Sequence, residues 1–81
     1  MAKSFRLTIA RIGENLFDGE ATSVTLPGAE GQFTVLADHE AFVSPLGPGV
    51  ALVKAADGTE TSYAVENGVC EVSSGQATVL L

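Results

Sequence analysis

The sequence has little of what most chemistry needs. Its 81 residues hold one cysteine, Cys70, one histidine, His39, no tryptophan, and four bases, Lys3, Arg6, Arg11 and Lys54, against ten acids, for a formal charge of −6. With one cysteine no disulfide can form within the chain. With one histidine no zinc site of two or three imidazoles can be built. His39-Glu40 opens like the zinc-protease helix motif, but no second histidine follows it. Four scattered bases make no field for a phosphate backbone, so nucleic acid is excluded as a partner. No run reaches the 18 or so apolar residues of a spanning helix, and the start, Met1-Ala2-Lys3-Ser4-Phe5-Arg6, lacks an apolar signal core. The expectation is a cytoplasmic, soluble chain with no direct membrane insertion.

Catalytic signatures are missing as well. No serine sits in a glycine-flanked elbow, and no glycine-rich loop runs into Lys-Ser or Lys-Thr to cradle phosphate. Gly47-Pro48-Gly49 reads as a turn, not a dinucleotide fingerprint. The carboxylates stand beside turn glycines or at polar alternation positions, where solvation explains them. No catalytic, metal or cofactor-binding residue is therefore predicted.

What is present is 46% apolar residues cut at regular intervals. A chain of this length forms one domain, spanning 1–81, and buries only about 60% of its unfolded surface. Either its core is efficient or a partner completes it. Turn signals occur at Ile12-Gly13-Glu14, Asp18-Gly19, Pro27-Gly28, Ala37-Asp38, Gly47-Pro48-Gly49, Asp57-Gly58, Asn67-Gly68 and Ser74-Gly75. A spacing of roughly 8–12 residues belongs to an all-β sandwich or barrel. Between the turns lie short β-rich runs: 5–9, 24–26, 33–36, 50–54, 61–65, 69–72 and 77–81. In the first, Phe5, Leu7 and Ile9 share one face and Arg6, Thr8 and Ala10 the other, the period of a half-buried strand. Asp57-Gly58 predicts a tight hairpin between Val50 and Val65. Cys70, between Val69 and Glu71, reads as an unreactive strand residue.

Two stretches carry no charge, Ala41 to Val53 and Val72 to the end. Deep core and a docking patch both account for them. Lys54 raises a separate possibility, attachment of lipoyl or biotinyl groups in a small all-β carrier domain. Those domains present the lysine at a hairpin tip, whereas Lys54 falls inside a strand.

Read in order, Phe17-Asp18-Gly19-Glu20, Leu26-Pro27-Gly28-Ala29-Glu30-Gly31-Gln32-Phe33, Leu36-Ala37-Asp38-His39, Leu46-Gly47-Pro48-Gly49-Val50, Asn67-Gly68-Val69-Cys70-Glu71-Val72 and Ala77-Thr78-Val79-Leu80 resemble the epsilon subunit of the F-type ATP synthase. The resemblance covers nearly the whole chain. It departs at Ala37-Asp38, where Pro-Gly is usual, at Thr34, where glycine is usual, at His39-Glu40-Ala41, where His-Ala-Pro is frequent, and at Gln32, where many members place a second carboxylate.

The resemblance implies a flattened antiparallel β-sandwich of about ten short strands at the foot of the central stalk. The implied partners are the gamma subunit and the c ring, and the implied role is a non-catalytic rotor part without cofactors. It couples proton or sodium flow to ATP synthesis on the cytoplasmic face of the bacterial inner membrane. Glu30, Gly31 and Gln32 match the loop facing the c ring. Asp38, His39, Glu40, Ala41 and Phe42 match the region turned toward gamma. The family continues into a two-helix C-terminal domain, and a sequence that stops at Leu81 is expected to lack that inhibitory arm.

Overall fold

A computed structural model describes residues 3–81 and contains eight strands and no helix among them. They are β1 (Phe5–Arg11), β2 (Glu14–Gly28), β3 (Gly31–Leu36), β4 (Phe42–Leu46), β5 (Gly49–Ala55), β6 (Glu60–Val65), β7 (Gly68–Ser73) and β8 (Gln76–Leu80). The order runs β1-β8-β7-β4-β2-β5-β6, with β3 also paired to β2 and β1 paired back onto β2. One continuous sheet thus folds over itself into a flattened sandwich, 33 × 24 × 19 Å.

The fifteen-residue β2 makes the fold possible. Its first half pairs with β1, from Arg11↔Glu14 to Phe5↔Ala21. Its second half pairs with β5 and β3. The register against β5 skips Thr22, whose hydroxyl donates to the Lys54 carbonyl at 3.2 Å. An extra residue in a strand moves every later side chain to the opposite face. Ala21 is buried before the bulge, and Val24 and Leu26 after it, so one strand presents apolar residues to one interior from both layers. A second irregularity against β1 leaves Leu16 unpaired between Asn15 and Phe17.

The expected alternation in β1 is seen: Phe5, Leu7 and Ile9 are buried, and Arg6 lies outside, paired with Asp18. Val35, Leu46, Ala51, Val53, Val65, Cys70, Val72, Ala77 and Val79 complete the core. No polar or charged residue is buried among the described residues. The two layers are stitched at one edge by Tyr63, whose hydroxyl donates to the Leu16 carbonyl at 3.1 Å. At the other side they meet where Leu46 pairs with Gly28, framed by Ala29 N–H to Pro45 C=O at 3.0 Å and Gly47 N–H to Pro27 C=O at 2.8 Å.

Three expectations need correction. The strands number eight among the described residues, not about ten. Asp18-Gly19 is no turn, because pairing with Thr8 and Leu7 carries the chain straight through it. One pairing, β1 with β8, is parallel in a sheet otherwise antiparallel. The uncharged 41–53 segment contains a strand that composition hid: β4 holds Pro45, tolerated because the strand meets β7 along one side and β2 only at Leu46.

The Asp57-Gly58 hairpin is present, with Gly58 at φ +93°. The Thr59 backbone N–H donates to the Asp57 carboxylate at 2.9 Å, and this bond, with help from the Thr59 hydroxyl, holds that carboxyl below its ordinary range.

Gly28 sits where a Cβ would meet the Gly31 carbonyl oxygen at 2.5 Å and the Phe33 ring at 2.9 Å. Gly28→Ala is expected to destabilise the fold by about 1–3 kcal/mol, read as a lower denaturant midpoint with unchanged slope. Removing the Tyr63 hydroxyl orphans a carbonyl, so Tyr63→Phe is expected to cost about 1 kcal/mol in the same assay. Burial pushes the Cys70 thiol from 9.0 up to about 11. Its neutral form therefore stabilises the fold fully below pH 9 and progressively less as pH climbs toward 11. A Cys70→Ala variant should lack that component of alkaline destabilisation, and a thiol reagent at neutral pH should label Cys70 only after unfolding.

Candidate functional site

The two sequence-predicted contact segments bracket one strand. Glu30 lies at the tip of the β2–β3 hairpin with Gly31 and Gln32 opening β3, and Asp38 to Ala41 lie in the loop after β3. Five residues, 33–37, lie between Gln32 and Asp38, four of them in extended β3, so the segments stand about 15 Å or more apart along the strand at ~3.3 Å per residue. The structure keeps the two segments apart, at opposite ends of β3.

The hairpin is tightly specified. Pro27 pairs with Gln32 and Gly28 with Gly31, leaving Ala29 and Glu30 as the loop. Gly31 has φ +139°, a conformation that disfavours side chains. Glu30, Gly31 and Gln32 are all exposed. Beside the tip lies an open groove of about 380 Å³, lined by Gly28, Glu30, Gly31, Gln32, Phe33, Ser44 and Pro45. Glu30 is its only charged residue. Sequence reading missed Phe33, Ser44 and Pro45 as parts of this site, because nothing in their spacing says that β4 folds back against the hairpin.

The other segment is built on a turn in which the His39 N–H donates to the Leu36 carbonyl at 3.0 Å. Asp38 pairs with Lys3 at 3.3 Å, both more than three-quarters exposed, so the pair adds little stability. His39 Nδ1 lies 3.1 Å from the Glu40 carbonyl oxygen. The His39 ring stacks obliquely on Phe42, centroids 4.7 Å apart. Phe42 in turn meets Phe33 edge to face at 5.5 Å. A continuous aromatic path therefore runs from the His39 loop to the base of the Glu30 hairpin. Two departures from the family pattern find partners here: Asp38 has Lys3, and the Thr34 hydroxyl lies 3.0 Å from that of Thr25 on the paired strand.

Alternation resolves the two accounts of the uncharged segment. Leu46, Ala51 and Val53 are core, whereas Val43, Val50 and Leu52 face outward at 66%, 57% and 43% exposure. The outer surface of one layer carries an apolar row in direct register, Ala10–Leu80–Val69–Pro45, with Val43 beside it. Lys54 lies within β5 opposite Glu60, three residues before the Asp57-Gly58 turn, and so not at a hairpin tip. No cluster of three or more metal-ligating side chains occurs among the described residues.

Residues 4–81 match the family described as ATP synthase, Delta/Epsilon chain, beta-sandwich domain. The ATP synthase epsilon chains of Brucella anthropi and Brucella canis are each 36% identical over 80 residues, which cover 99% of this chain and 59% of theirs. The chain thus spans under two thirds of these relatives' length. A chain in the solved Euglena gracilis mitochondrial ATP synthase superposes with a TM-score of 0.88 at 28% identity, over 95% of this chain and 49% of that one. A chain of the Tetrahymena thermophila mitochondrial ATP synthase central stalk and c ring gives 0.77 at 14% identity, over 96% and 63%, a likeness of fold. With the family match across 78 of 81 residues and 36% identity to the epsilon chains over 99% of its length, the chain belongs to the ATP synthase delta/epsilon family and comprises its β-sandwich domain.

Proposed function

We propose that this domain is a non-catalytic rotor element of the central stalk of an F-type ATP synthase, binding the c ring through Glu30, Gly31 and Gln32 and the gamma subunit through Asp38, His39, Glu40, Ala41 and Phe42. In that role it couples ion translocation through the ring to ATP synthesis on the catalytic subunits, at the cytoplasmic face of the membrane. The observation that carries the reading is the placement of these two polar segments at opposite ends of one strand in a domain whose family is that of the epsilon chain.

A part that passes torque has to resist shear between its two contacts. A sheet whose layers are joined by a shared strand, and whose contact segments are linked by packed aromatic rings, deforms little. The exposed Val43 follows directly on Phe42, and the row Pro45, Val69, Leu80 and Ala10 extends that surface, supplying the apolar area a gamma interface needs. At the hairpin the single carboxylate of Glu30 favours a basic partner and fixes orientation more than affinity.

Binding of the purified chain to cognate gamma and to the c ring, separately, tests both assignments. Glu30→Lys is expected to weaken ring binding about tenfold at low salt and to leave gamma binding unchanged; His39→Ala combined with Glu40→Lys should do the reverse. All three residues are exposed, so the thermal midpoint should stay near that of the parent. Undiminished binding of both partners by both variants would refute the interface assignment.

A further inference from the structure

One motif of the sequence has no part in the proposed contacts: Asn67-Gly68, at the junction of β6 and β7. In such a pair the side-chain amide is open to attack by the backbone nitrogen that follows it, because glycine places no Cβ in the way. The fold nevertheless demands glycine here. A Cβ at Gly68 would collide with the Leu80 carbonyl oxygen and stand 3.2 Å from Leu81 Cα, so a side chain at this position has no room. Asn67 itself is exposed, beside an open groove of about 340 Å³ that it lines with Arg11, Ala64, Glu66 and Leu81, and its amide has space to turn.

The nucleophile, by contrast, is occupied. The Ala29 N–H donates to the Pro45 carbonyl at 3.0 Å and the Gly47 N–H to the Pro27 carbonyl at 2.8 Å, the pattern that flanks a non-hydrogen-bonded antiparallel pair, Gly28 with Leu46. Leu46 therefore turns its own N–H and C=O away from Gly28 and toward its other partner, Gly68. The Gly68 N–H is thus engaged by the Leu46 carbonyl. Leu46 belongs to the core, so freeing that N–H means lifting a buried leucine and parting β4 from β7.

We propose that Asn67-Gly68 is a deamidation site held closed by the β4–β7 pairing and converted only when that pairing opens. In the opened chain the Gly68 nitrogen bonds to the Asn67 side-chain carbonyl carbon, and ammonia leaves, carrying the proton the nitrogen gives up. Water then opens the cyclic imide at either carbonyl, to aspartate or to isoaspartate. Isoaspartate routes the main chain through the former side chain and lengthens it by a methylene. At the residue before β7, that displaces Gly68 from Leu46 and Val69 from Leu80. Either product adds a negative charge next to Glu66. A chain that has once opened along β4 and β7 is permanently marked, and its isoaspartate form re-pairs poorly.

The test is incubation of the chain at neutral pH, native and in denaturing guanidinium chloride, with the mass of the peptide containing residue 67 followed over time. Deamidation raises that mass, whereas isomerisation at Asp57-Gly58 leaves a peptide's mass unchanged. An isoaspartyl methyltransferase labels the isoaspartate formed. The native rate is expected to be at least about tenfold below the rate in denaturant, since only the opened fraction reacts. Leu46→Ala loosens the core under the pairing, and a folded variant should deamidate at least about threefold faster than the native parent. Guanidinium just below the unfolding transition should accelerate the parent likewise, and it carries the test if Leu46→Ala is unfolded by circular dichroism. Asn67→Gln should abolish the mass rise in every condition. Equal rates in native buffer and in denaturant would overturn the closed site, as would a native rate moved neither by Leu46→Ala nor by guanidinium below the transition. No mass rise at residue 67 in the unfolded chain would refute the site itself.

Discussion

The structure hangs on a parity change in one strand. Because side chains alternate along a strand, β2 can line a single core from both layers only if its alternation is reset midway, and the unpaired Thr22 resets it. Without that extra residue, Val24 and Leu26 would face solvent, and the second layer's part of the core would be left to Val35, Ala51, Val53 and Val65. The hydroxyl bond from Thr22 to Lys54 holds the bulge in place, and the Tyr63–Leu16 bond and the Leu46–Gly28 pair close the two edges the fold leaves open. A domain of 81 residues with one cysteine and, among the described residues, no buried charge gains its rigidity from this shared strand rather than from a large interior.

The same arrangement distributes the surface. With both layers' inner faces consumed by one core, the outer faces are free to differ, and they do. One carries the row from Ala10 to Pro45, and the other exposes Val50 and Leu52 beside the Lys54–Glu60 pair. Charge is shared between strands and loops: Glu14, Asp18, Glu20, Glu60 and Glu71 lie in strands, and Glu30, Asp38, Glu40, Asp57 and Glu66 in turns and loops. The aromatic path His39–Phe42–Phe33 connects two ends that no backbone pairing joins directly, since β3 and β4 each pair with other strands.

Much of this was legible beforehand because it depends on local rules. Alternation put Phe5, Leu7 and Ile9 on one buried face, glycine-marked turns marked the hairpins at 57–58 and 74–75, and an apolar–polar pattern placed Cys70 in a strand, where the structure buries it. The proposed contact segments rest on ordered motifs, not on any chemical cluster. The failures share a cause. Asp18-Gly19 looks like a turn because glycine and aspartate favour turns locally, but long-range pairing with β1 overrides that preference. β4 was hidden by Pro45, which is disfavoured in strands that have neighbours on both sides, a condition no sequence states.

By itself, then, the sequence determined the class of the fold, the positions of most turns and the inward face of most strands, since each follows from neighbours within a few residues. Tertiary structure alone decided that β2 serves both layers, that β1 and β8 run parallel, that the uncharged segment is half core and half surface, and that Ser44 and Pro45 come to wall the groove beside Glu30. Those features arise from residues distant in sequence meeting across a sheet. Pairing energies of that kind are set by register and closure of the whole sandwich, not by the composition of any one segment.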